Sequence, residues 1–232
     1  MLILALDTTA VVASVALCRD GQPIASFTVK NGNTHSETLL PMVEAVLRSA
    51  GVSVSEIDLF ACSTGPGSFT GVRIGTATVK GLAFGQGKNC LGVSTLEALA
   101  ENLVPFDGIL CPVMNARRGQ VYNALFTYEN GELKRLCPDR ALSATELAAE
   151  LEKDGRPFAL CGDGTEEFLR LAPKTRPVAV PALLGDQSAV SVAKVALRRA
   201  NNGERGTDAE LAPVYLRLPQ AERERLERLN TK

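Results

Sequence analysis

The sequence has little to offer a metal. His35 is the only histidine in 232 residues, and the six cysteines (Cys18, Cys62, Cys90, Cys111, Cys137 and Cys161) include no CxxC pair. This speaks against zinc-type clusters. Charge of one sign is also missing: 25 basic residues against 26 acidic ones leave a net charge of -1. A chain gripping nucleic acid unaided usually carries a basic excess, because phosphate neutralisation supplies most of the affinity. If RNA is engaged here, another subunit is expected to supply much of the positive surface. No apolar run reaches the roughly 20 residues that span a bilayer, and the GxxxxGK[ST] phosphate loop is absent. Met1 leads directly into Leu2, Ile3, Leu4, Ala5 and Leu6, with no basic segment or small-residue cleavage site of the signal-peptide kind. The cysteines mostly lie inside apolar strand-like runs, as reduced, buried thiols of a cytoplasmic protein do.

What is present is an ordinary globular composition, 45% hydrophobic and 22% charged. Leu2 to Leu6, Val11 to Leu17 and Ile24 to Val29 read as three strands joined by tight turns. A helix follows, with Asn33 or Thr34 as cap, Glu37 as capping-box carboxylate and Gly51 as its stop. Ile57 to Ser63 is a strand, Thr70 to about Gly85 a helix, Leu91 to Val93 a strand, and Ser94 caps a third helix. A meander followed by crossovers predicts a ribonuclease-H-like lobe over residues 1–104, of the actin and sugar-kinase (ASKHA) type. Residues 105–218 predict a smaller second lobe. Its strands are Ile109 to Asn115, Val121 to Tyr128, Glu132 to Cys137 and Phe158 to Cys161, with helices at Ser143 to about Lys153, after Gly164, and at 188–202. The last of these is a candidate to pack back on the first lobe. The expected fold is thus α/β, actin-like and two-lobed, with a reduced second lobe and a charged, fraying tail over 219–232.

Four segments are candidates for chemistry. Asp7, Thr8 and Thr9 end the first strand, where α/β sheets present ligand sites, although a self-satisfied turn would look the same. Gly162 and Gly164 flank a turn that could likewise meet a nucleotide. Gly65 to Gly75 (GPGSFTGVRIG) opens the second helix, whose glycines at 71, 75, 81 and 85 imply close approach of another backbone. Leu39, Leu40, Met42, Val43, Val46, Leu47 and Ala50 cover nearly half of the first helix. That face fits either a partner or a deep core. Arg117 and Arg118 sit in a basic hairpin turn that could face phosphate or RNA, or only solvent. His35 beside Ser36 lacks a third orienting group, so a hydrolase is not expected.

LALDTT, HSETLLPMVEAVL, GPGSFTGVRIG, STLEALA, NARRGQVY and CGDG stand in the order of the TsaB (YeaZ) family, which this chain resembles up to Pro213–Arg217. The resemblance implies a non-catalytic scaffold subunit in the complex that transfers threonylcarbamoyl to the adenosine following the anticodon, in tRNAs reading A-starting codons. The implied partners are a catalytic TsaD-like subunit, a TsaE-like ATPase and tRNA through the complex, with a homodimer when the chain is alone. It also implies an interface on the first two helices, placed at His35, Leu39, Met42, Val43, Val46, Gly71, Val72, Gly75, Thr76 and Val79. No tightly bound cofactor is expected, and weak ATP or ADP binding stays open. Two departures stand out. Asn115 replaces the family's common Asp, and Thr95 and Leu99 occupy the positions of the HxxxH metal pair of catalytic relatives. The competing expectation is an independent ATP-dependent enzyme of the same superfamily, either a small kinase or metallopeptidase-like.

Overall fold

A computed structural model describes residues 1–217; the charged tail expected over 219–232 lies outside the described residues. The first sheet has five strands in the order β3-β2-β1-β4-β5. These are β1 (Leu2–Asp7), β2 (Ala13–Arg19), β3 (Gln22–Val29), β4 (Leu59–Gly65) and β5 (Asn89–Ser94). The β1–β2–β3 meander is antiparallel, whereas β4 and β5 run parallel to β1 after helical crossovers. This is the actin-like, ribonuclease-H-like order.

The LILALD run of β1 is buried throughout, because both faces of the sheet are covered. Leu2, Leu4 and Leu6 share one core with α1 (His35–Ala50) and α2 (Phe69–Ala83). Ile3 and Ala5, on the opposite face, share another with the Ala- and Val-rich side of α6 (Ala189–Asn201). The capping box expected at Thr34 and Glu37 does not form. Thr34 makes no side-chain cap bond, and its hydroxyl instead accepts from the Ser36 hydroxyl. Gly51 ends α1 in the left-handed conformation.

The second sheet has the order β10-β7-β6-β8-β9, with β11 (Phe158–Cys161) on β6 (Ile109–Arg117). α3 (Thr95–Glu101) packs on one face of this sheet. α4 (Ala144–Asp154) and α5 (Thr165–Leu171) cover the other. The single strand expected over Val121–Tyr128 is divided into β7 (Gln120–Asn123) and β8 (Phe126–Glu129). Both keep one register along β6, which carries Ala124 opposite Pro112. Pro112 has no N–H to donate, and Asn123 Nδ2 donates to its carbonyl at 2.9 Å. The ladder breaks there. β9 (Glu132–Arg135) is followed by β10 (Arg140–Ser143), a short strand that the sequence pattern did not reveal.

Candidate functional site

The end of β1 is built around Asp7, which is 1% exposed. Its Oδ1 accepts from the Thr9 amide at 2.9 Å and the Thr9 hydroxyl at 2.7 Å, while Oδ2 accepts from the Ser63 hydroxyl at 2.5 Å. Burial pushes the carboxyl above its ordinary value, and these bonds only partly oppose that. The Thr8 hydroxyl donates to the Gly71 carbonyl at 2.7 Å. The Asp7 carboxylate and the Thr8 hydroxyl therefore lock the turn to β4 and α2.

The same turn explains Gly71 and Gly75, whereas Gly81 and Gly85, where close approach was also expected, have nothing within 4 Å of an added methyl group. A methyl group on Gly71 would overlap the Thr8 carbonyl oxygen, and one on Gly75 would lie 2.5 Å from Thr8 Oγ1. The close backbone is thus the chain's own turn. Leu39, Met42, Val43, Val46, Val72, Thr76 and Val79 are all buried within the chain, none more than 3% exposed. They form the core side of the helix pair, so a partner would not reach them. His35 is part-buried, and its Nε2 donates to the Ala10 carbonyl at 2.7 Å, tying α1 to the β1–β2 turn. The width of the apolar face belonged mostly to the core.

The outward face of the pair carries different residues. Leu40 is 55% exposed and Phe84 78% exposed, with Pro41, Ala77 and Gly81 also exposed. A side chain added at Gly81 would meet nothing within 4 Å. Leu40 was counted with the wide apolar face and not among the interface residues; its place off the stripe of residues 39, 42, 43 and 46 is the signal that sets it apart.

Between the two sheets lies a cleft made of two adjoining cavities. The first, about 480 Å³, is lined by Thr9, the α2 N-terminus from Gly67 to Thr70, and Met114, Asn115, Arg117, Tyr122 and Asp163. The second, about 400 Å³, is lined by Val11, Lys30, Gly162, Asp163, Thr165, Glu166, Asp186 and Gln187 among others. Gly162 and Gly164 are not free phosphate grips. Their amides donate to the carbonyls of Gly185 and Val113, and Cβ atoms there would collide with β6. Asp163 keeps an exposed edge, yet burial of its carboxyl against the cleft walls pushes its pKa up.

Arg117 and Arg118 are exposed and hold left-handed backbone, at φ 63° and 54°. Asn115 Oδ1 accepts from the Arg117 amide at 2.7 Å, closing the turn. A side-chain oxygen is all this turn requires, so an amide serves as well as the carboxylate of the common Asp. Arg217 donates to the Ala116 carbonyl at 2.7 Å. Thr95 and Leu99 are buried at 0% and 1% exposure. Among the described residues, no three His, Cys, Asp or Glu side chains are grouped as a metal site would group them. None of the helices there is long and apolar enough to cross a membrane.

The family described as "TsaD: tRNA N6-adenosine threonylcarbamoyltransferase" matches residues 30–214. The chain is 31% identical to the "tRNA threonylcarbamoyladenosine biosynthesis protein TsaB" of Bacillus subtilis (strain 168), over 96% of each chain. It is 30% identical to the protein of the same description from Escherichia coli (strain K12), over 94% of this chain and 95% of that one. Among solved structures, "YeaZ from Pseudomonas aeruginosa" superposes with a TM-score of 0.82 at 32% identity, covering 93% of this chain and 99% of that chain.

Proposed function

The chain belongs to the TsaB (YeaZ) family, and we propose that it serves tRNA threonylcarbamoyladenosine biosynthesis as a non-catalytic, partner-holding subunit. The observation that carries this reading is that the outward side of α1 and α2 leaves large apolar side chains exposed, Leu40 toward the start of α1 and Phe84 just past the end of α2, with Pro41, Ala77 and Gly81 also exposed. Exposed large apolar side chains give a partner surface to cover, and small residues on a helix let another helix come close. Covering Leu40 and Phe84 would contribute roughly 1.5 to 3 kcal/mol each. The partner in this reading is a TsaD-like catalytic subunit in the cytoplasm, joined by a TsaE-like ATPase. A second copy of the chain takes the same face when that subunit is absent.

The commitments at the end of β1 support the non-catalytic half of the reading. A carboxylate that activates water or holds a metal-bound phosphate needs a free oxygen in reach of it. Both Asp7 oxygens are engaged inside the chain, and Thr8 and Thr9 donate inward. The same facts weigh against tight ATP or ADP binding through this turn. Arg117 and Arg118 are proposed as contacts to tRNA phosphate within the complex, where the partner adds the positive charge this chain lacks. The test is threonylcarbamoyl transfer to tRNA, measured with the chain alone, a TsaD-like subunit alone, and both with the ATPase. Activity that needs both proteins supports the reading, and transfer by this chain alone refutes it.

A further inference from the structure

Between α4 and the segment that follows α5, the second lobe holds a cavity of about 520 Å³, a size that small-molecule sites commonly have. Its floor is apolar. Leu151 and Phe158 are buried there, and Ala148, Ala172 and Pro173 extend the apolar lining. The lining positions on α4 include alanines at 148 and 149, so the space between that helix and residues 172–176 is left unfilled. The polar backbone nearby is already satisfied: the carbonyls of Leu151 and Phe168 accept from the amides of Gly155 and Ala172. No residue of α1 or α2 lines this cavity, so it lies apart from the assembly face.

The rim has the opposite character. Arg156, Lys174 and Arg176 line it against the single carboxylate of Glu152. Arg156 is already answered: its Nε and Nη2 donate to the two oxygens of Asp154 at 2.7 and 2.9 Å. Arg176 is held differently. Its Nη1 donates to the carbonyls of Pro173 and Thr175 at 2.7 and 3.1 Å. Among the described residues its Nε–Nη2 edge makes no hydrogen bond, and neither does Lys174 Nζ. That edge is the same two-pronged donor pair that takes the Asp154 carboxylate at Arg156, and it matches a carboxylate in geometry and charge. A guanidinium steadied by one nitrogen loses less freedom when the other two bind. Even with Asp154 counted, three cations face two carboxylates, in a chain whose net charge is -1. A neutral hydrocarbon would leave the fork unpaired, and a bare phosphate would leave the floor uncovered. An apolar body that ends in a carboxylate meets both.

We propose that this cavity binds a small apolar carboxylic acid as its anion, with the carboxylate on the Nε–Nη2 edge of Arg176 and the apolar body on Leu151 and Phe158. The site does not depend on the assembly role and is tested on the full chain alone, so failure here leaves the partner reading standing. Calorimetric titration is done with octanoate, 1-octanol and octylammonium, which share an apolar tail and differ in head charge. Octanoate is expected to bind about tenfold or more tightly than octanol, as a charge-assisted pair requires, and octylammonium weakest. Arg176→Gln is expected to weaken octanoate by about tenfold and leave octanol unchanged. Ala149→Phe, at an exposed position of α4, fills the hollow and is expected to weaken both. A short peptide ending in a leucine carboxylate is expected to bind more weakly than octanoate. The three-probe comparison needs no variant, so it stands even if a variant folds poorly. No heat with octanoate, equal affinity for octanol, tighter binding of octylammonium or of the peptide, or unchanged octanoate affinity in a folded Arg176→Gln chain would each overturn the proposal.

Discussion

Gly71 and Gly81 lie on the same helix, yet a methyl group added to each would meet opposite surroundings. At Gly71 it would run into the Thr8 carbonyl; at Gly81 it would enter open space. The neighbouring residues divide the same way. Val72, Thr76 and Val79 are buried, Val79 in the core it shares with β1 and β4, whereas Arg73, Ala77 and Phe84 are exposed. The inner face is therefore fixed by the fold, and the outer face is open to assembly. Glycine and an apolar side chain carry no single meaning in this segment until the neighbouring atoms are known.

Mutations that separate the faces should differ in what they break. The largest loss is expected from Val46→Glu, which puts a carboxylate into the core at a cost of several kcal/mol. Gly71→Ala should cost about 2 to 3 kcal/mol, since the Thr8 backbone must shift to admit a methyl group. Urea unfolding checks both, and an unchanged midpoint would mean that the inner face is not packed as described. Neither variant informs on partner binding, because the fold fails first.

On the outer face, Leu40→Glu and Phe84→Glu should weaken self-association and binding of a TsaD-like subunit by about tenfold or more. Their stability should stay within about 0.5 kcal/mol of the parent chain. Sedimentation at unchanged assembly mass would move the interface elsewhere.

Asp7 offers a pH test of the inner side. Its folded pKa is raised, so its favourable contribution is complete below the unfolded value of about 3.8 and is lost as pH rises through the folded value. The parent chain should therefore lose stability relative to Asp7→Asn on going from pH 3.8 toward neutrality. A parallel pH profile in the two chains would show that Asp7 is not desolvated. The smallest effect is expected at Gly81→Ala. It should be neutral or stabilising by up to about 1 kcal/mol, opposite in sign to Gly71→Ala.

Much of the first sheet was legible in the sequence because its signals are strong. A run such as LILAL bounded by a polar turn has few other homes, and Gly51 marks a helix end by mechanism. Which side of the helix pair the core leaves open was not legible. A wide apolar face reports how much is covered, not by what, and glycine reports a close neighbour, not whose backbone it is. β10 is four residues long and too brief to show a period. Gln187, between Asp186 and Ser188, reads as a polar loop residue, and only the structure leaves its amide buried without partners.

The central claim is that this chain acts through its outer helical face and not through chemistry of its own. One experiment addresses both halves: threonylcarbamoyl transfer and complex mass, measured on the same mixture of this chain, a TsaD-like subunit and the ATPase, with the parent chain and with folded Leu40→Glu. The expected result is that transfer and complex are lost together in Leu40→Glu and that the chain alone transfers nothing. Full transfer by a Leu40→Glu chain that no longer assembles, or transfer by the chain alone, would contradict it.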